Sequence, residues 1–296
     1  MTLVAGGTGR LGSVLVQGFL REGIAVRVLT RNSDAAGRLR TTGVDVVVGD
    51  IRNSADVARA VAACSTVVSA VSGFGHMGSS TPESVDRDGN LDLIRASAQA
   101  GVDHFVLVSM HGAAADASLP LLRMKASAER ALRASGLAWT IIRPTACLET
   151  YLDAVGQSLM EKRSTLVFGS GKIPVNFVSA TDVAALVRRA VDDSTLKGQG
   201  IDWGGPNLTL NELSDALHAS AGTAGKTNRI PLAALRIMAV AARLFSPFMA
   251  RVAGAAVVMN TKDMTFDARP ERERVPGLPW TGLAAVVAGR SQPSSV

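Results

Sequence analysis

The chain has 296 residues, 47% of them hydrophobic and 19% charged, which suits one large α/β domain or a nucleotide domain with a smaller lobe and excludes general disorder. Its 31 basic and 25 acidic residues leave a formal charge of +6, suited to an anionic cofactor or an acidic surface, or simply solvated. Aromatics are 4% of the chain and no basic run is interleaved with them, so no nucleic-acid interface is expected.

From the N-terminus, short apolar and β-branched runs at 2–5, 25–30, 45–48, 66–71, 104–109 and 138–142 alternate with helical patterns at 11–22, 55–63, 84–100 and 121–134. Near-continuous apolar strands joined by helix-length segments are what a parallel sheet covered on both faces requires. Gly23, Gly101 and Gly136 each stand where a helix would end in a left-handed residue. The chain enters its first strand at once, without a basic stretch, apolar core and cleavage site, so a cytoplasmic setting is expected. Cys64 and Cys147, in apolar surroundings, read as core thiols in a reducing compartment, and no CxxC or HExxH spacing points to a metal.

Beyond Pro144 the pattern loosens into strands at 165–168, 173–177 and 201–203 and helices at 181–192, with Thr181 as N-cap, and 210–221. This mixture reads as a smaller lobe over the strand ends, where open α/β sheets bind ligands. Residues 231–259 are unusually apolar, but Arg236, Arg243 and Arg251 interrupt them and Pro247 splits them. A membrane span is therefore disfavoured, and two amphipathic helices covering the core, a partner protein or a membrane surface are expected. The tail from Arg290 on reads as frayed.

The strongest motif is Val4-Ala5-Gly6-Gly7-Thr8-Gly9-Arg10-Leu11-Gly12, set between an apolar strand and an apolar helix. Gly6 would allow the tight turn, Gly9 close approach to a pyrophosphate, and Gly12 close packing of the helix, whose N–H groups would face the phosphates. An NAD site usually carries an acid at the end of the second strand; here that position holds Arg31. With Arg10 it suits the 2′-phosphate of NADP, since a guanidinium binds phosphate bidentately. Asp50, closing the third strand, either accepts from the adenine amino group or caps the helix near Ser54.

The chain resembles the NmrA-like branch of the atypical short-chain dehydrogenase/reductase family over nearly its whole length. The resemblance rests on Gly6 to Gly12, Arg31, Gly49-Asp50, Asp86-Arg87-Asp88-Gly89-Asn90, Ala100-Gly101-Val102, Val108-Ser109, Lys125, Ile142-Arg143-Pro144, the run from Val178 to Ala184, and Asp263 to Asp267. It implies a Rossmann-type doubly wound parallel sheet with a smaller C-terminal α/β lobe. The expected division is an NADP-binding core over 1–145 and a substrate or partner lobe over 146–296, interwoven with it and carrying the apolar helices. The family's cofactor contacts fall on Gly6, Thr8, Gly9, Arg10, Leu11, Gly12, Arg31, Asp50, Ile51, Ala70, Val71, Lys125, Pro144 and Thr145.

The wider family's Tyr-x-x-x-Lys proton relay is absent, because Leu121 stands four residues before Lys125 and the only tyrosine, Tyr151, is followed at that spacing by Val155. Lys125, Ser109 and His111 remain as catalytic candidates, against the alternatives of an exposed helical lysine and an idle loop histidine. Tyr151 either overhangs the nicotinamide or packs in the core. The loop over 73–82, with Phe74, His76 and Met77, reads as a pocket wall or a mobile connection. Two functions are open: an NADPH-dependent oxidoreductase acting on a hydrophobic quinone, enone or related small molecule, and a non-catalytic NADP(H) sensor or accessory protein.

Overall fold

The structure, a computed structural model, describes residues 1–223 and 225–290; the tail read as frayed lies, beyond Arg290, outside the described residues. Two compact units are present, Met1–Pro144 with Val183–Asp202, and Thr145–Asp182 with the chain from Trp203 onward. In chain order the elements begin β1 (Thr2–Ala5), α1 (Arg10–Arg21), β2 (Val26–Thr30), α2 (Ser33–Arg40), β3 (Asp45–Val48), α3 (Ser54–Val61) and β4 (Thr66–Ser69). A π-helical segment, Pro82–Gly89, leads into α4 (Asn90–Gln99), followed by β5 (His104–Val108), α5 (Pro120–Arg133) and β6 (Trp139–Pro144). Then come β7 (Ala146–Cys147), α6 (Leu148–Gly156), α7 (Leu159–Lys162), β8 (Ser164–Phe168), β9 (Val175–Val178), α8 (Ala180–Asp192) and β10 (Gly200–Trp203). The chain closes with β11 (Asn207–Leu208), α9 (Leu210–Ser220), β12 (Lys226–Ile230), α10 (Leu232–Ala241), α11 (Pro247–Met259), α12 (Arg269–Arg274) and α13 (Leu283–Arg290).

The large sheet has the order β10-β6-β5-β4-β1-β2-β3, and its pairs from β3 to β6 are parallel. This is the Rossmann-type α/β architecture, and its strand order reverses between β1 and β4. The apolar runs form strands because both faces are covered: every residue of β1 and β5 is buried, and Leu3, Val67, Phe105, Leu107 and Ile141 pack into one core with Leu93 and Leu132 from the helices. Gly23, Gly101 and Gly136 each take positive φ just past a helix, as their positions suggest.

Several details differ from the sequence reading. Helix α2 escapes apolar periodicity because only Ala35 and Ala36 of its eight residues are buried; it starts because the Asn32 side chain accepts from the Ala35 N–H. The single helix expected over 84–100 begins instead as π-helix at Pro82, capped reciprocally by Thr81 and Ser84. The strand expected in the smaller lobe near 201–203 is the edge strand of the large sheet.

In the second unit, β11 pairs antiparallel and β7 parallel with β9, while β12 pairs parallel with β8. Its core joins Leu148, Leu152 and Val155 of α6 to Phe177 and to Leu213 and Leu217 of α9. Thr181 is not the cap of α8, since it lies inside the helix; Glu149 serves instead, accepting from the Ser179 hydroxyl at 2.7 Å and the Ala180 N–H at 3.0 Å. Met264 bridges to Val175, and the Phe266 carbonyl accepts from Asn176, which gives the stretch after Asp263 its place. Arg272 lies over the rings of Trp203 and Trp280 and donates to buried Asp182. Both cysteines are free thiols. Among the described residues no helix is long and apolar enough to cross a membrane.

Candidate functional site

The glycine turn lies where the strand order reverses. Gly6 has φ +86°, and a Cβ there would meet the Ala70 carbonyl oxygen at 2.7 Å, so the turn after β1 runs against the backbone leaving β4. The Gly9 N–H closes the turn on the Gly6 carbonyl at 3.0 Å. Gly9 is the N-cap of α1 and offers no side-chain cap, and the first turn carries no acidic residue. Its N–H groups and the positive end of the helix dipole therefore lack any side-chain acceptor from the cap. A Cβ at Gly12 would come within 2.0 Å of the Gly6 carbonyl oxygen, so the helix is pressed onto the turn itself. This cradle fits a diphosphate: close backbone, unshielded donors and no competing carboxylate. Thr8, in the loop, approaches the Thr30 hydroxyl at 3.4 Å, while Arg10 and Leu11 begin the helix.

At the ends of β2 and β3, Arg31 donates to the Ser80 hydroxyl at 2.5 Å and stands 4.0 Å from Asp50. Asp50 is not a helix cap; Asn53 caps α3, accepting from the Ala55 and Asp56 N–H groups. Arg52, which the sequence reading passed over, grips the Asp50 carboxylate at 2.6 Å and donates to Ser79 at 2.7 Å. That Arg52 hydrogen bond holds the Asp50 carboxyl below the usual carboxylate range, outweighing its partial burial. The corner thus gathers two guanidiniums on one carboxylate and on the serines of the 73–82 loop. The loop's ends are tied down, Gly73 by Asp86, while Met77 at its tip is exposed. Ile51 is buried in the core.

Lys125 is not an exposed helical lysine; it is 5% exposed. Its ammonium lies 3.0 Å from the Asp86 carboxylate and donates to the Val71 carbonyl at 3.0 Å and the Val108 carbonyl at 3.1 Å. Two of its donors are thus spent on backbone carbonyls, and its charge is balanced by a buried carboxylate. Asp86, fully buried, also accepts from the Gly73 N–H at 2.7 Å. Asn90 donates to the Asp86 carbonyl and accepts from Ser69 at 2.6 Å. The π-helical turn sets Asp86 and Asn90 on one buried side, so one polar cluster fixes the backbone leaving β4, including Val71, against the end of β5.

A second chain of polar groups runs from Ser109 to His111. The buried Ser109 hydroxyl donates to Glu129 at 2.6 Å; Arg143 donates to both Glu129 oxygens at 2.8 and 2.6 Å, and Arg133 adds a bond at 3.1 Å. Arg143 also lies 3.7 Å from Asp202, whose carboxylate is 2.9 Å from Nδ1 of His111. A carboxylate only accepts, so Nδ1 of His111 carries the hydrogen. The His111 side chain is partly open to solvent, at 38%. Its N–H holds the Pro144 carbonyl at 2.9 Å. Sequence reasoning missed Glu129 and Asp202; the spacing of Glu129 four residues after Lys125 on α5 was a usable signal, while nothing marked Asp202 on its strand.

Burial pushes the Glu129 carboxyl up, but Arg143, Ser109 and Arg133 outweigh it and hold it below its ordinary 4.5. A carboxyl depressed in the folded state contributes stability that is complete above its unfolded value and disappears as pH falls through the folded one. Arg143→Met is therefore expected to raise the pH at which this unit unfolds in acid, read as the midpoint of a circular-dichroism titration; an unmoved midpoint would remove Glu129 from the acid limb.

In the second unit Thr145 donates to Asn176 at 2.8 Å and its N–H to the Trp203 carbonyl at 3.0 Å. Tyr151 packs edge-on against Phe177 at 5.2 Å, and burial pushes its phenol up to about 12, so core packing accounts for it.

Residues 6–194 match the model of a family described as NAD(P)H-binding. An NAD(P)H azoreductase of Xenophilus azovorans is 30% identical over 75% of this chain and 74% of its own. A photosystem II assembly factor of a Synechocystis species is 28% identical over 92% of this chain and 84% of its own. Among solved structures, an NADPH-dependent quinone oxidoreductase of Escherichia coli complexed with NADPH superposes with a TM-score of 0.77 over 99% of this chain and 100% of that one, at 21% identity, a likeness of fold.

Proposed function

Because this chain belongs to the NAD(P)H-binding family, we propose that it is an NADPH-dependent reductase of a hydrophobic quinone, enone or related acceptor. The observation that carries the cofactor half is the uncapped, acid-free start of α1 pressed against the Gly6 carbonyl. The backbone at Gly9 to Gly12 would hold the diphosphate, Arg31 with Arg10 the additional phosphate, and Asp50 and Ile51 the adenine side. When bound, the nicotinamide supplies a hydride. The 30% identity with an azoreductase over three quarters of the chain supports reduction as the chemistry.

Lys125 is a positioning residue in this reading: with two donors on the Val71 and Val108 carbonyls and its charge paired with buried Asp86, it fixes the strand ends rather than moving a proton. Ser109 likewise has its hydroxyl hydrogen engaged in a hydrogen bond to Glu129. The proton donor is His111: Asp202 holds its Nδ1–H, and Nε2, on the partly open ring, takes a proton from solvent and passes it to the reduced acceptor. Quinones and enones suit such a site, since they accept hydride with modest acid assistance.

Purified protein is expected to oxidise NADPH in the presence of a naphthoquinone or an azo dye. Removing a charge-assisted contact costs about 1.5–3 kcal/mol, so Arg31→Ala should weaken NADPH binding roughly tenfold or more and leave NADH binding unchanged. Equal affinity for the two nucleotides before mutation would remove Arg31 from its role. His111→Ala should lower kcat by about a hundredfold, the lower end for general acid catalysis. Tight NADPH binding with no turnover on any acceptor would favour the second reading, a nucleotide-sensing accessory protein. That reading draws on the likeness to an assembly factor and on the missing Tyr-x-x-x-Lys relay.

A further inference from the structure

Helices α10 and α11 of the second unit pack on each other, and Leu235 of the first and Ala250 and Ala253 of the second are buried. The outward side of α10 and of the 3-10 turn that follows it, Ala242–Leu244, is also apolar. Ala233, Ile237, Val240 and Leu244 recur at four, three and four residues, one helical stripe, and Leu244 and Phe245 at the joint between the helices are 93% and 77% exposed. Isolated exposed leucines need no explanation, but a continuous stripe ending in a bare Leu-Phe pair is a surface that water covers at a cost.

The charge along this stretch of the chain has one sign. From Ala216 to Lys262 the chain carries six basic residues and no aspartate or glutamate. Arg236 and Arg243 stand exposed beside the stripe. A two-fold contact between copies would set these arginines against their own images, with no acid in the segment to pair them. An anionic bilayer presents what the stripe lacks, with phosphate groups for the guanidiniums and an acyl boundary for Ile237, Leu244 and Phe245. Ten and thirteen residues make helices about 15 and 20 Å long, too short for a hydrocarbon core of about 30 Å, so the hairpin would lie in the interface rather than cross it.

We propose that the α10–α11 hairpin is a peripheral docking surface for anionic lipid bilayers, with Leu244 and Phe245 inserted and Arg236 and Arg243 on the headgroups. The full chain is expected to co-sediment with phosphatidylcholine vesicles containing phosphatidylglycerol, poorly with phosphatidylcholine alone, and less as salt is raised. The double change Leu244→Ser, Phe245→Ser leaves the charge untouched and should lower the partition coefficient at least about tenfold. Each of Arg236→Gln and Arg243→Gln should lower it about fivefold. Circular dichroism and NADPH binding of each variant establish that it is folded. Absence of binding to anionic vesicles at low salt overturns the proposal, as does binding indifferent to Leu244 and Phe245. So would concentration-dependent dimers that the serine variant dissolves in a protein that ignores vesicles, because a second copy would then cover the face.

Discussion

Lys125→Met should unfold roughly 6–20 °C below the wild type, far beyond an exposed lysine substitution. The methionine keeps the aliphatic stem and leaves Asp86, fully buried, without its cation, together with two strand-end carbonyls that lose a donor. Breaking one side of a buried ion pair costs about 3–5 kcal/mol, and in a domain of this size each kcal/mol moves the midpoint by about 2–4 °C. The decisive comparison is the double variant Lys125→Met, Asp86→Asn, which removes the stranded charge and keeps an acceptor for the Gly73 N–H. It should recover part of the loss, a coupling that independent sites would not show. Additive losses in the cycle would mean that the pair is not the unit described above. The same geometry changes how kinetics must be interpreted. Turnover abolished in Lys125→Met is what a collapsed strand end produces as well as what a lost acid produces, so the proton question is better put to His111, on the more exposed side of its network.

The first unit was legible in the sequence to the extent that burial writes itself into a pattern. Strands β1 and β5 are covered on both faces and read as apolar runs, and the glycine turn announces itself because Gly6 and Gly12 meet backbone where no Cβ fits. What escaped did so for physical reasons. Helix α2 buries two alanines and owes its start to a side-chain cap, which apolar periodicity does not see. Strand β12 has no buried residue and exists because β8 pairs with it. The candidate site divides in the same way. Arg31 was visible as a basic residue where an acid is usual, but its company of Arg52, Ser79 and Ser80 depends on a loop folding back over nearly fifty residues. The Asp86–Lys125 and His111–Asp202 pairs join residues 39 and 91 positions apart, and only the strand order brings them together. A single sequence shows which side chains are chemically able, while topology decides which of them meet.

Gly12→Ala should cost the nucleotide site most of its affinity. The added methyl would sit 2.0 Å from the Gly6 carbonyl oxygen and 2.7 Å from the Gly7 Cα, and neither is the end of a flexible side chain that could swing away. The helix would have to lift off the turn, moving the first-turn N–H groups away from the corner where the strand order reverses. Losing two charge-assisted hydrogen bonds at about 1.5–3 kcal/mol each corresponds to at least about a hundredfold in dissociation constant, and overpacking should destabilise the unit by about 1–3 kcal/mol besides. Gly18→Ala, on the same helix, separates this effect from a change in helix propensity. Its methyl would meet the Arg188 side chain, which can shift, and an interior glycine replaced by alanine favours the helix by about 0.5–1 kcal/mol. NADPH titration by nicotinamide fluorescence should therefore place Gly18→Ala within about twofold of the wild type, on the ground that it keeps every first-turn donor in place. Gly12→Ala should lie at least two decades weaker. Wild-type affinity in Gly12→Ala would mean that the nucleotide is held somewhere other than the start of α1.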